Sequence, residues 1–326
     1  MSDSFRWGIL GCGNIAKKFA TGLQSLDDAQ LVAAGSRTQE NANRFADEFG
    51  ADRRHDSYEA LASDPDVDAI YVATPHPFHL ENSVLCLRNK KPVLCEKPFT
   101  INRAQAEELV AVSHEENVFL MEAMWSRCLP LLTRVRELVA DGAIGDVRMV
   151  QADFGFRANV NPEGRLFNLA LGGGGLLDVG VYTVSFASML LGTPSNVHST
   201  AEIGETGVDE QAAIILEHES GQMALLSTGV RTRTPQEATI LGTEGYIRLH
   251  SAWWNGSKGT LYRGNESEPL ETPTIGNGYN YEAAEVARCV RAGKIESDII
   301  PHAETISIMD TLDRIRAQWD LKYPME

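Results

Sequence analysis

One segment near the start of the chain narrows its folding options more than any other. Residues 5–10, FRWGIL, form a short and mostly apolar run that reads as an inner strand. It passes straight into GCGNIA, residues 11–16, and then into an amphipathic helical stretch over 15–25. Small residues at Gly11, Gly13 and Ala16 give the G-x-G-x-x-A spacing of a dinucleotide-binding turn. Gly11 allows the tight turn, Gly13 lets the backbone approach a pyrophosphate, and Ala16 lets the helix lie close on its strand. Asn14 and Ile15 open that helix, whose first N–H groups face the anion. The glycines alone also fit an ordinary turn; their place between a strand and a helix is what marks a cofactor site.

The next strand bears on which dinucleotide is held. A carboxylate is expected at its end, about 20 residues beyond the glycines, to take the adenosine ribose hydroxyls. LVAAGSR, residues 31–37, ends instead in Ser36 and Arg37. A hydroxyl beside a guanidinium suits a 2′-phosphate, which repels an acid and takes a bidentate bond from arginine. Arg44 falls on the same side of the helix that follows. The expected cofactor is NADP(H), with NAD(H) as the alternative if Arg37 is only a surface base.

Strand-like and helical segments then alternate. AIYVAT, PVLC and VFLMEAM each lead into helical sequence, the pattern of a doubly wound, mainly parallel sheet. Ligands of such sheets lie beyond the carboxyl ends of the strands. Those ends are polar here: Thr74, Pro75 and His76 follow one strand, Glu96 and Lys97 another, and Trp125 stands just past a third. Thr74, Pro75, His76, Glu96 and Lys97 are expected beside the cofactor. Pro98 stiffens the backbone after Lys97, as a chain would if misplacing that cation were costly.

Past about residue 142 the pattern changes. A strand, VRMVQADFGF, precedes a glycine run that opens the helical segment GGGGLLDVGVYTVSFASMLLG. QAAIILEH, QMALLSTG, EATILGT and GYIRLHSA then follow as strands joined by hairpin-like turns. The expected fold is α/β: a Rossmann domain over 1–124, then an α/β domain with a large, mostly antiparallel open sheet over 125–326. Late helical segments, 279–293 and 302–319, are free to pack back on the first domain. A chain of 326 residues exceeds what one core usually holds, which agrees with two domains.

Asp178 and Tyr182, four residues apart, share one face of the helix behind the glycine run. They interrupt an otherwise apolar surface. A structural hydrogen bond with an aromatic cap is one reading; a catalytic pair is the other. Hydride transfer to or from a nicotinamide obliges the protein to move a proton on the neighbouring oxygen. A tyrosine hydroxyl does this when a cation such as Lys97 makes it more acidic, and Asp178 then orients the lysine or the substrate hydroxyl. His76, His79, Glu96 and Asp178 lack any metal-specific spacing, and no metal is expected.

The formal net charge of −16, from 45 acids against 29 bases, repels polyanions, so nucleic acid is not an expected partner. Five cysteines without C-x-x-C spacing suit reduced thiols in a cytoplasmic protein. The start of the chain lacks the pattern of a secretory leader, and no run of 18 apolar residues suggests a membrane span.

GILGCGNIA, TPHPFH, CEKP and GGGGLLDVGVY together resemble the glucose–fructose oxidoreductase / inositol dehydrogenase / MocA family over almost the whole chain. FLMEAMWSR, VQADFGF and RLFNLALGGGGLLDVGVY are similar to the branch that contains dimeric dihydrodiol dehydrogenase and NADP-dependent D-xylose dehydrogenase. The resemblance implies that Lys97 is catalytic, that Tyr182 stands where many relatives carry histidine and serves as acid/base, and that Asp178 is the family's aspartate. It further implies that His79, Trp125 and Phe154 line the substrate pocket, completed near GNGYNYE by Tyr279 or Tyr281, and that the protein is a homodimer through the C-terminal sheet. The function implied is an NADP(H)-dependent dehydrogenase of a sugar, cyclic polyol or trans-dihydrodiol. Reduction of a sugar ketone or dicarbonyl is one alternative, and a non-catalytic dinucleotide-sensing protein another.

Overall fold

The computed structural model describes residues 4–326, which form two compact units. The first contains residues 4–100, 104–125 and 275–305; the second contains 101–103, 126–274 and 306–326.

The first unit begins with β1 (Phe5–Leu10), α1 (Asn14–Leu23), β2 (Ala29–Gly35), α2 (Gln39–Phe49), β3 (Arg53–His55) and α3 (Tyr58–Ala62). β4 (Ala69–Val72), α4 (His79–Arg88), β5 (Val93–Glu96), α5 (Arg103–Glu116) and β6 (Leu120–Ala123) follow. Helix starts are signalled locally: Thr38 and Ser57 each accept a backbone N–H three residues on, and Gly50 ends α2 in the left-handed region. α1 buries Ala16, Phe19, Ala20 and Leu23, the helical spacing that lays one apolar stripe on the sheet. The six strands are all parallel in the order β3-β2-β1-β4-β5-β6. Strand order therefore reverses between β1 and β4, the crevice where such sheets take their ligands. Register puts Leu10 beside Val72, Val72 beside Cys95, and Glu96 beside Ala123, so the polar strand ends fall on one rim.

The second unit starts with α6 (Pro130–Ala140), β7 (Val147–Gly155) and α7 (Val181–Leu191). Seven strands follow: β8 (Asn196–Ile203), β9 (Asp209–Glu217), β10 (Met223–Gly229), β11 (Ala238–Gly242), β12 (Gly245–Leu249), β13 (Lys258–Arg263) and β14 (Glu266–Glu271). They form an eight-stranded sheet with β7, ordered β14-β13-β12-β11-β7-β10-β9-β8. Every pair is antiparallel except β7 with β10. Alternation places Val150, Ala152, Ile214, Leu226 and Ile240 on the buried face, which α7 covers through β7 and β10. The other face leaves Ile215, Met223, Leu225 and Tyr246 between 37% and 39% exposed.

The last helices are α8 (Tyr279–Arg291), in the first unit, and α9 (His302–Ala317). The return of 275–305 also completes the first sheet's edge, where the N–H of Leu120 donates to the carbonyl of Ile295 at 3.0 Å. The stretch Leu169–Leu191 is apolar and long enough to cross a membrane, but 78% of its most apolar window is buried inside the protein. It is core.

Candidate active site

In the first unit the glycine turn is built around Gly11, whose φ of 97° lies in the left-handed region and where an added Cβ would come within 3.0 Å of the backbone of Ala73. Gly13 is the N-cap of α1 and supplies no side-chain cap. A Cβ added there meets no atom of the described residues within 4 Å, so the helix start offers uncrowded donors. That cradle fits a pyrophosphate. At the end of β2, Ser36 is buried and its N–H bonds the carbonyl of His55, while Arg37 is exposed. The positive charges of Arg37 and Arg44 act on the Tyr58 phenol and the Cys12 thiol respectively, which places both arginines toward this rim.

Two further strand ends complete the rim. Past β4, Thr74 and His76 are buried, and His76 starts a short 3₁₀ turn. His79 is wholly buried, with Nδ1 2.8 Å from the carbonyl of Pro98 and Nε2 2.8 Å from that of Thr74. Burial, assisted by Lys97, pulls this imidazole down to about 4 although the carbonyls act the other way. Both ring nitrogens are thus committed to backbone, and His79 pins the two strand ends together. These bonds give His79 a structural role beside the substrate contact expected of it.

Glu96 closes β5 from inside. Its carboxylate accepts the Tyr71 hydroxyl through Oε1 and the backbone N–H of Lys97, 3.0 Å away, through Oε2. Lys97 is half-buried, and the Lys97–Pro98 peptide is cis. Trp125 and Tyr279, both expected on the substrate side, lie stacked with ring centroids 4.6 Å apart. Tyr281 is otherwise occupied: its hydroxyl accepts the N–H of Ile275 at 2.8 Å.

The second unit holds the other half of the expected chemistry. The glycine run does not enter a plain α-helix. It opens a π-helical turn, Leu176–Gly180, which continues into α7. Asp209 organises this entry: its Oδ2 accepts the N–H of Leu176 at 2.6 Å, and a Cβ at Gly174, where φ is 114°, would run into its Oδ1. Burial raises the Asp209 carboxyl to about 7, while the backbone N–H donors oppose the rise. Asp178, on the π turn, accepts a 2.9 Å bond from Arg165, an ion pair with the carboxylate side chain only 12% exposed. Tyr182 packs against Phe154 with centroids 5.4 Å apart, and Phe154 stacks on Trp254 at 3.3 Å. Tyr182, Phe154 and Trp254 make a continuous aromatic wall.

Each unit therefore gathers the residues expected of it: glycine turn, Arg37, Thr74, His76, Glu96, Lys97, Trp125 and Tyr279 in the first, Phe154, Asp178 and Tyr182 in the second. Sequence reasoning missed Trp254, Arg165 and Asp209. The doubled Trp253-Trp254 was a signal for the first; the other two act only through contacts remote in sequence. Among the described residues no group of three or more His, Cys, Asp and Glu side chains is arranged to hold a metal ion.

Comparison with known proteins adds a second line. The model of an oxidoreductase family with an NAD-binding Rossmann fold matches residues 5–124, and that of the GFO/IDH/MocA C-terminal domain matches 132–248. The trans-1,2-dihydrobenzene-1,2-diol dehydrogenase of Mus musculus is 36% identical over 335 residues, covering 99% of this chain and 99% of the relative. That of Xenopus laevis is 38% identical over 330 residues, covering 98% and 99%. Among solved structures, KijD10, a 3-ketoreductase from Actinomadura kijaniata in complex with NADP and TDP-benzene, has a TM-score of 0.85 at 26% identity, covering 97% of this chain and 98% of that one. An aldose-aldose oxidoreductase from Caulobacter crescentus complexed with glycerol reaches 0.88 at 24% identity over 97% and 98%, a likeness of fold.

Proposed function

This chain belongs to the GFO/IDH/MocA oxidoreductase family, and from that premise we propose an NADP(H)-dependent dehydrogenase acting on the carbinol or carbonyl carbon of a trans-dihydrodiol, sugar or cyclic polyol. The similarity to dihydrodiol dehydrogenases along nearly the full length carries the reading. The aromatic wall of Tyr182, Phe154 and Trp254 supports it, since flat rings suit the apolar face of an arene diol or a sugar ring. Preference for NADP rests on Ser36 and Arg37 standing where a carboxylate would otherwise hold the ribose.

When bound, the nicotinamide supplies the hydride acceptor or donor. The chain handles charge and proton. In the proposal Tyr182 takes the hydroxyl proton during oxidation and returns it during reduction. Lys97 stabilises the negative charge that develops on the substrate oxygen and makes Tyr182 more acidic. Asp178, held by Arg165, orients the substrate hydroxyl, while Trp125, Phe154 and Tyr279 face the ring. The runner-up, physiological reduction of a sugar ketone, is favoured by the likeness to the 3-ketoreductase KijD10.

We further propose cytoplasmic residence, in keeping with five free cysteines, and a homodimer formed through the open face of the eight-stranded sheet. The deciding experiment is absorbance at the reduced-nicotinamide band while dihydrodiols, pentoses, hexoses and inositols are offered with NADP⁺, and ketoses with NADPH. Turnover of a diol or aldose supports the leading reading. Activity with ketoses alone supports the runner-up, and silence throughout removes both.

A further inference from the structure

We propose that Glu282 and Glu96 form an acid pair holding a single proton, with Glu282 its protonated member, and that the pair positions the strand end carrying Lys97. The positioning part rests on the hydride-transfer reading above; the proton part stands without it.

α8 packs beside α1 and turns Glu282 inward in its first turn, where the residue is 0% exposed. Among the described residues neither carboxyl oxygen meets a hydrogen-bond partner. A carboxylate in that place would lose its hydration and gain nothing in return, so the group keeps its proton. Glu96 has the opposite surroundings, with the Tyr71 hydroxyl on one oxygen and the Lys97 N–H on the other. It is the member built to carry charge. Its charge, after burial itself, drives Glu282 well above the ordinary carboxylate range.

The phenol facing the pair does not relieve it. Tyr71 from β4 is pushed upward by burial and by Glu96, Glu282 and Tyr279, so it remains a donor. α1 presents apolar side chains, and its Phe19 lies stacked on Tyr71 with centroids 3.9 Å apart. With Glu282 neutral, one negative charge sits behind Lys97 and the Tyr71–Glu96–Lys97 chain of bonds is intact. Release of the Glu282 proton to solvent base sets two carboxylates against each other. Displacing Glu96, the backbone neighbour of Lys97, is the direct relief.

The test compares wild type with Glu282→Gln, a neutral group of nearly the same shape. In wild type the folded state keeps a proton that the unfolded state sheds at about pH 4.3, so stability falls as pH rises above that value. Denaturant unfolding from mildly acid to alkaline pH should therefore show wild type losing stability relative to Glu282→Gln, approaching one proton per molecule. The wild-type minus Glu282→Gln infrared difference spectrum at neutral pH, in which the contribution of Asp209 cancels, should show a protonated-carboxyl band that fades in alkali. A constant stability difference at every pH, or a band unchanged by the substitution, overturns the proton assignment. For positioning, kcat/KM of wild type should decline in alkali through a group that Glu282→Gln lacks. Superimposable pH profiles would overturn that part alone, and the spectroscopic and unfolding arms need no substrate.

Discussion

Arg37, Lys97 and Tyr182 were legible as single residues because each breaks a local rule: a base where an acid is expected, a cation ending an apolar strand, a hydroxyl on an apolar helix face. Their surroundings make the expectations quantitative. On the proposed reading, Arg37→Ala should remove a charge-assisted contact to the 2′-phosphate, weakening NADP(H) by about 1.5–3 kcal/mol and NAD(H) far less. Parallel titrations of both cofactors check it, and equal losses would refute it. Tyr182→Phe keeps the ring against Phe154 but deletes the hydroxyl, so turnover should drop on the order of 10²–10⁴-fold with cofactor affinity nearly unchanged. Lys97→Met should lose at least as much, because in the proposed mechanism the lysine supplies both the electrostatic stabilisation and the tuning of Tyr182. Steady-state kinetics beside cofactor binding separates these effects. Other residues were opaque for a physical reason. Arg165 reaches Asp178 across 13 positions, and Asp209 reaches Leu176 across 33, so neither role exists until the chain has folded. The backbone bonds of His79 were not legible, because a polar residue near a strand end reads alike whether it meets ligand or backbone.

Elements followed the same logic. Inner strands and the helices covering them announced themselves through apolar runs, whereas β3, β8 and β14 escaped notice, and all three are edge strands. An edge carries little hydrophobic pattern: β14 is ESEPLE, mostly exposed, with Pro269 tolerated because one side needs no ladder bonds. The glycine run was read as the start of a helix, but the π turn behind it depends on Asp209 filling the space of absent side chains. That carboxyl gives this element a pH dependence with a definite sign. Its folded value of about 7 exceeds the ordinary aspartate value of about 3.9, so the folded state binds the extra proton and stability falls as pH rises through that window. Asp209→Asn keeps an acceptor for the Leu176 N–H and should flatten the decline. Urea midpoints of the two proteins at several pH values would show it, and parallel curves would count against it.

At the scale of the whole molecule, the family and the α/β fold with one parallel and one mostly antiparallel sheet were readable from the sequence, because both rest on long, regular patterns. Assembly is not written that way. The exposed row of Ile215, Met223 and Leu225 is what an interface through the sheet would cover. Leu225→Glu should then halve the mass seen by sedimentation equilibrium while leaving the circular dichroism spectrum intact; an unchanged mass would place the contact elsewhere. One bond also sets a schedule. The hydroxyl of Tyr323 donates to the carbonyl of Gly173, 150 positions earlier, at 3.0 Å. While the polypeptide is still being synthesised, the glycine run emerges long before the residue that fastens it. The nucleotide-side glycine turn, closed by neighbours such as Gly35 and Ala73, has no such wait. The unit around that turn still waits for residues 275–305, which bond its sheet edge at Leu120, so a chain stalled on the ribosome before residue 275 should display the glycine turn with neither unit complete.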